Sequence, residues 1–452
     1  MNGCNQTDGF RAVLRTKTCV RVLTIITLAA AAALVVGAGV GAGATTWYVD
    51  DDGGADFTKI QNAVSNASMG DTIYVAAGEY TENVDVNRQL TLIGEDVDMV
   101  TVTAASASDH VFEVTADYVN VSGFMVTGAT DSWKAGIYLG FYVDHYNISD
   151  KNASNNGLGI WLQRSNNNTL TDNTANSNVD DDGNGVGIYV YDYSSDNTLT
   201  GNNASNNDFG ILLQRSNDNT LTSNTALNNN GYDGIAIVFS SSNTLANNIV
   251  NSNNHTGIHL YSSSDNTLAN NTANLNGNSG IHLFSSSNNN MLTGNTANSN
   301  NYYGYDVCLY SSSNNTIYNN CFNNTNNAYD DSANTWNITP TAGKNIIGGS
   351  RLGGNYWSDY DGADSDGDGL GDLEYPIAGG GNFDYHPLCL SEASVKGDLN
   401  SDGILTPADA VIALRIAATG ADDPAADVSG DDRVTSLDAL MILQAAADSI
   451  EL

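Results

Sequence analysis

Through the middle of the chain, apolar residues recur in short bursts of alternation, not in helical stripes. Gly-Ile pairs begin at Gly159, Gly187, Gly210, Gly234, Gly257 and Gly280, with a variant at Gly304, and the gaps are 28, 23, 24, 23, 23 and 24 residues. An Asn-Thr-Leu-like triplet follows each, starting at Asn168, Asn197, Asn219, Asn243, Asn266, Asn290 and Asn315. Each unit holds three alternating stretches, Gly-Ile-x-Leu, Thr-Leu and Asn-x-Ala, separated by polar turns. Strands this short leave no room for a helix, so a unit buries its apolar side only by stacking on the next. A leucine-rich horseshoe has a similar period but needs a regular Leu framework and a convex helix or turn, which this pattern lacks. The spacing therefore predicts an all-β fold, a right-handed parallel β-helix with one coil per unit and a rise of about 4.8 Å. Residues 45–347 then give about 13 coils by the same spacing. The one long gap contains Val179-Asp180-Asp181-Asp182-Gly183-Asn184, a loop insertion.

The open end of such a rod exposes strand edges and needs a cover. Thr58-Lys59-Ile60-Gln61 reads as a capping box, with Ile60, Ala63, Val64 and Ala67 as an apolar stripe, so a short amphipathic helix is expected there, followed by a strand over 72–76. On the Gly-Ile-x-Leu strand, Ile and Leu point inward and alternate positions point out. One outward column reads Trp161, Tyr189, Leu212, Ala236, His259, His282 and Cys308, and the next Gln163, Tyr191, Gln214, Val238, Tyr261, Phe284 and Tyr310. Trp161, Tyr189, Tyr191, Tyr261, Phe284 and Tyr310 are the candidates for an exposed aromatic track that binds polysaccharide. His259, His282 and Cys308 form a candidate soft-metal column, with accidental stacking as the alternative.

Composition explains why the repeat is so polar. The 452 residues include 62 Asn, 48 of them between residues 151 and 330. Stacked Asn amides bond along a cross-β axis, and Asn tolerates left-handed turns, so a structural role accounts for nearly all of them. Lys and Arg number 15 against 51 Asp and Glu, a net charge of −36, which is incompatible with binding a phosphate backbone. A basic start followed by the apolar run Val22 to Val40 and Ala42-Gly43-Ala44 has the layout of a secretory leader over residues 1–44, with an uncleaved anchor as the alternative and the only route to a membrane. An extracellular or cell-surface location is expected either way. Beyond the leader, Cys308, Cys321 and Cys389 are too few and unpaired in spacing for a disulfide framework.

The composition shifts again near Gly348. Asp364, Asp366 and Asp368 alternate before a glycine, with Asp372 beyond, as in an acidic oxygen cage for Ca²⁺, although Tyr375 stands where a closing glutamate is expected. Further on, Asp398, Asn400, Asp402, the Ile404 carbonyl, Thr406 and Asp409 fall at positions 1, 3, 5, 7, 9 and 12 of a calcium loop, and an apolar helix follows. The pattern repeats 29 residues on with Asp427, Ser429, Asp431, the Arg433 carbonyl, Thr435 and Asp438. Asp432 replaces the turn glycine in this second loop, so weaker binding is expected there.

Two loop–helix units with Asp at position 12 and no entering helix resemble a type I dockerin, which implies calcium as cofactor and a cohesin-domain protein as partner. The opening from Trp47 to Gly53, through Leu90-Thr91-Leu92-Ile93-Gly94, resembles NosD-like and pectate-lyase-like β-helix proteins. Asn355-Tyr356-Trp357-Ser358-Asp359-Tyr360 resembles the terminal module that follows NosD-like repeats in surface proteins of archaea. The expected organisation is a leader over 1–44, a β-helix over 45–347, a terminal module over 348–390 and a dockerin over 391–452.

The expected function is a secreted or cell-surface calcium-binding protein. It binds polysaccharide through the β-helix and docks onto a cohesin-bearing partner in polysaccharide catabolism. A β-helix polysaccharide lyase or glycoside hydrolase is the first alternative, with Asp181, Asp192, Arg164 and Arg215 as candidate catalytic residues, beside Asp180, Asp182 and Asp218. A structural surface-layer or adhesin component is the second. Copper handling, the namesake role of the NosD-like family, finds little support in 6 His and 6 Met with no tract of either.

Overall fold

The computed structural model describes residues 43–180, 182–301, 304–389, 397–400, 405–419, 425–431 and 433–447. The expected leader, apart from its last two residues, and the site candidates Asp181, Asp402 and Ile404 lie outside the described residues.

The repeat folds as a parallel β-helix. One sheet has 14 strands, twelve of them in an unbroken path from Thr46–Val49 to Thr316–Tyr318. A second sheet has 11 strands, from Val84–Val86 to Ala328–Asp330. The Asn-x-Ala stretch makes the third face, mostly through single bridges such as Thr225↔Ile249 and Ile249↔Thr272. That gives about twelve coils, one fewer than expected. The difference lies in residues 331–347, which contribute only the Thr316↔Thr335 bridge and the two-residue strand Thr341–Ala342.

Inside the rod, like stacks on like. Ile160, Ile188, Ile211, Ile235, Ile258 and Ile281 occupy one inward column, and Leu170, Leu199, Leu221, Leu245, Leu268 and Leu292 another, all essentially inaccessible. The corners are held by buried asparagines. In one ladder Asn168, Asn197, Asn219, Asn243, Asn266, Asn290 and Asn315 each donate from Nδ2 to Oδ1 of the next, ending on Asn334, at 2.9–3.2 Å. A second runs from Asn173 through Asn202, Asn224, Asn248, Asn271 and Asn295 to Asn320. A third, from Asn178, ends where Asn300 donates to the buried carboxylate of Asp306. The backbone N–H of each ladder asparagine also donates to the next Oδ1, as Asn224 does to Asn248 at 2.9 Å. Each rung thus satisfies backbone groups that the sharp corner takes out of the sheets.

Both ends of the core are covered. Helix α1 (Ile60–Asn66) buries Ile60, Ala63 and Val64 as the stripe requires. Its cap differs from the expectation: Lys59 is the N-cap and Thr58 makes no capping bond. Instead the Glu82 carboxylate, from the following coil, accepts from the backbone N–H groups of Ile60 and Gln61 at 2.9 and 3.0 Å. At the other end Tyr356–Trp357 pairs with Cys321–Asn323, Asn320 donates to Asn355, and Trp336 and Trp357 lie buried 5.7 Å apart, each donating its indole N–H to an aspartate, Asp330 and Asp384. Near the C-terminus, helices α2 (Pro407–Thr419) and α3 (Ser436–Ala446) pack through a separate core of Ala410, Ala413, Val428, Ala439 and Ile442.

Candidate functional site

The sheet register places both outward columns as the repeat spacing requires. Trp161, Tyr189, Leu212, Ala236, His259, His282 and Cys308 are successive partners, and so are Gln163, Tyr191, Gln214, Val238, Tyr261, Phe284 and Tyr310. Pointing outward is not the same as being exposed, however. Trp161 and Tyr189 are 9% and 3% accessible, so the Trp161 end of the expected track is covered. They form a satellite apolar cluster with Tyr138, Leu158 and Val186, on which Tyr191 packs. Exposed Trp133, from the turn before the strand Ala135–Leu139 two coils from Tyr189, lies 6.2 and 6.4 Å from the Trp161 and Tyr189 rings. The accessible aromatic stretch is instead Tyr261, Phe284 and Tyr310, whose rings follow one another at 5.6 Å, tilted by 48° and 36°.

Between these two stretches the face opens into a groove of about 440 Å³. Its floor is Leu212, Ala236 and Val238, and Phe209 and Tyr232 stack against each other on one side at 4.4 Å and 10°. Buried Asp233 is its polar centre. Oδ1 accepts from the Thr256 backbone N–H at 3.0 Å and lies 2.7 Å from His255 Nδ1, while Oδ2 lies 2.9 Å from His259 Nδ1. Burial on its own would raise the Asp233 pKa, but the two imidazoles outweigh it and hold the carboxyl below its usual range. The same bond raises the His255 pKa. His282 stacks on His259 at 5.0 Å and 6°, and burial pushes its pKa down to about 4, so it is neutral. Asp233 and His255 were not singled out by the sequence. Extending the Ile235↔Ile258 register back past the glycine puts Tyr232 opposite His255 and Asp233 opposite Thr256, which is the signal that could have found them.

Of the candidate catalytic residues described, Arg164 and Asp192 meet and Arg215 does not join them. Arg164 donates from Nε to Asp192 at 2.7 Å, one coil up, and Arg215 lines a separate shallow depression with Tyr193, Asn217 and Phe239. Asp180 accepts from the backbone of its own loop at Asp182 and Asn184, and Asp182 from Ser132. The strand Val186–Tyr191 lies between that loop and Asp192, a separation of about 20 Å at about 3.3 Å per residue.

Three acidic segments have oxygen-donor chemistry. Ligand oxygens of Asp364, Asp366 and Asp368 lie within 4.8 Å of one another, the one such grouping of three or more His, Cys, Asp or Glu side chains among the described residues. Asp372 is outside it, because its carboxylate accepts from the Ser365 backbone at 2.8 Å, and Asp368 also pairs with Arg351. In the first C-terminal loop, Asp409 is fully buried and accepts from the backbone N–H of Leu399, Asn400 and Thr406 and from the Thr406 hydroxyl. Asp438 does the same in the second for Ser429 and Thr435, and closes a capping box with Thr435 at the start of α3. Burial would raise both carboxyls, yet these donors bring each below its ordinary value, so both are ionised. Asp427 gathers Ser429, Gly430 and Asp431, and Asp431 accepts from the Arg433 N–H. Two loops folded around ionised carboxylates with further Asp, Asn and Thr oxygens suit a hard cation.

Comparison with known proteins finds matches to two family models. A family model described as periplasmic copper-binding protein (NosD) matches residues 64–232 and 180–362, and the dockerin type I domain model matches residues 396–445. A cell surface glycoprotein of Methanothermus fervidus is 36% identical over 85 residues, 18% of this chain, which spans only 13% of that glycoprotein's length. Among solved structures, the mannuronan C-5 epimerase A-module of Azotobacter vinelandii is 16% identical with a TM-score of 0.47, covering 64% of this chain and 97% of that one. The DFA-IIIase of Arthrobacter chlorophenolicus A6 is 13% identical with a TM-score of 0.49, covering 64% and 86%.

Proposed function

The chain belongs to the NosD family and ends in a type I dockerin domain, and from that premise we propose a calcium-binding protein of the cell surface or extracellular space. Its β-helix contacts polysaccharide, and its dockerin attaches it to a cohesin-bearing partner. The observation that carries the docking half is the duplicated loop–helix pair, in which buried Asp409 and Asp438 play the same part in two copies 29 residues apart. Asp398, Asn400, Thr406 and Asp409 would hold one Ca²⁺, and Asp427, Ser429, Asp431, Thr435 and Asp438 the other. The ion supplies cross-linking charge that fixes the loops, and with them the faces of α2 and α3 that carry exposed Val411, Leu414, Leu437, Leu440 and Leu443. The copper of the family description does not fit the donors present: among the described residues His259, His282 and Cys308 are neighbours in one column, but no three His and Cys ligand atoms lie within 4.8 Å of one another, and the one grouping that does is all hard carboxylate oxygen.

The test is capture of a type I cohesin domain by the full chain in millimolar Ca²⁺. Capture abolished by a chelator supports the reading, and equal recovery with and without chelator defeats it. A second reading, a structural component of the surface layer, is favoured by the match to a cell surface glycoprotein. It would gain if a broad glycan array retained none of its glycans on the protein.

A further inference from the structure

We infer that the groove between Tyr232 and Tyr261 is a subsite for a neutral sugar ring, selected by hydroxyl donation and against a carboxylate. The inference rests on the reading of the β-helix as a polysaccharide-contacting surface and says where contact is made and with which class of sugar.

Phe209 and Tyr232 are stacked face to face and Tyr232 is 45% exposed, so a flat aromatic surface stands at the mouth of the groove. Aromatic faces are electron-rich and pack on the C–H faces of sugar rings, and a recess of about 440 Å³ falls in the range of small-ligand sites. From Tyr261 the accessible ring column continues along the rod, so a polymer bound in the groove has a surface on which to run on.

The polar centre decides the class of ligand. One carboxylate, Asp233, lies within hydrogen-bond distance of Nδ1 on both His255 and His259, so each imidazole donates through Nδ1 and, when neutral, is left with an acceptor lone pair on Nε2. This tautomer assignment follows from the bonding partners. His259 Nε2 is buried and has no partner, an expensive state for a polar atom that a ligand hydroxyl would relieve by donating to it. An ionised sugar carboxylate has no proton to give. It would also meet Asp233 with no lysine or arginine lining the groove, on a chain of net charge −36. With one imidazole protonated the Asp–His–His group is merely neutral, so it offers no surplus charge to an acidic sugar.

The experiment is calorimetry on the full chain with neutral hexasaccharides (cellohexaose, maltohexaose and mannohexaose) and with hexagalacturonate and hexamannuronate. At least one neutral oligomer is expected to bind more tightly than either uronate. Tyr232→Ala, a change at an exposed ring, and His259→Phe, which keeps a ring against His282, should each weaken it about tenfold. Unchanged thermal unfolding of Tyr232→Ala guards against misfolding as the cause. Neutral binding that neither substitution alters overturns the groove assignment while leaving polysaccharide contact intact. Tighter uronate binding overturns the chemical class. Failure of every oligosaccharide to bind removes the underlying reading itself, and the subsite with it.

Discussion

Asn224 donates its side-chain amide to the Asn248 amide oxygen at 3.1 Å, although 24 residues of chain separate them. The same oxygen accepts the Asn224 backbone N–H, and the Asn248 amide in turn donates to the Leu221 carbonyl and to Asn271. One side chain therefore answers for four buried groups. Asn248→Leu keeps the volume and strands those groups without partners, at about 1–3 kcal/mol for each one left unsatisfied. We expect a loss of about 3 kcal/mol or more in urea unfolding. Asn254→Ala, at an exposed position in the next corner, should stay within about 0.5 kcal/mol.

At the N-terminal cover, Glu82 is the only cap that α1 has among its described partners. Glu82→Ala leaves the Ile60 and Gln61 N–H groups unpaired, for a cost of about 1–2 kcal/mol. Amide exchange at those two positions should quicken, while exchange in the central coils is unchanged.

The third asparagine ladder ends on a carboxylate. Burial raises the Asp306 pKa to about 7 against the opposing bonds from Asn300 and the Asn323 backbone. A carboxyl whose folded pKa lies above its unfolded value of about 3.9 holds a proton that the unfolded chain releases. Its contribution to stability is therefore complete below about pH 4 and declines as pH rises through about 7. Asp306→Asn should flatten the fall of unfolding free energy between about pH 4 and 7. Part of the slope should survive, because buried Asp384 is raised in the same way, to about 6.

For the calcium loops, Asp438→Ala removes the acceptor of the Ser429 and Thr435 N–H groups together with one proposed ligand. Calcium titration should then lose one of the two sites in the C-terminal loops, with the tighter one kept. In the unaltered protein the loop carrying Asp432 at the turn should be the weaker. A chelator should reduce the helical circular dichroism from α2 and α3 and leave the β signal in place.

The period of the Gly-Ile and Asn-Thr-Leu segments made the coil legible because stacking turns a repeat in sequence into a column in space. The outward register from Trp161 to Cys308 and the corner ladders through Asn168 and Asn173 followed from spacing alone. What spacing could not supply was anything contributed from outside the repeat. Trp133 covers Trp161 and Tyr189 from an irregular turn, and Glu82 caps a helix 22 residues before it. Asp233 and His255 fall just before the glycines that open each Gly-Ile stretch, outside the alternating pattern, so spacing does not bring them to His259. Asp372 has the right type and spacing for a ligand, but the nearest use for its charge is a backbone N–H.

The insertion at 179–184 lengthens one circuit of the chain, yet Asn178 still reaches Asn207 and Asn173 still reaches Asn202, both across 29 residues. The corners close whatever the excursion between them. That bulge is therefore a natural mounting point: foreign peptides spliced there would be held out on the flank while the scaffold beneath them kept its shape.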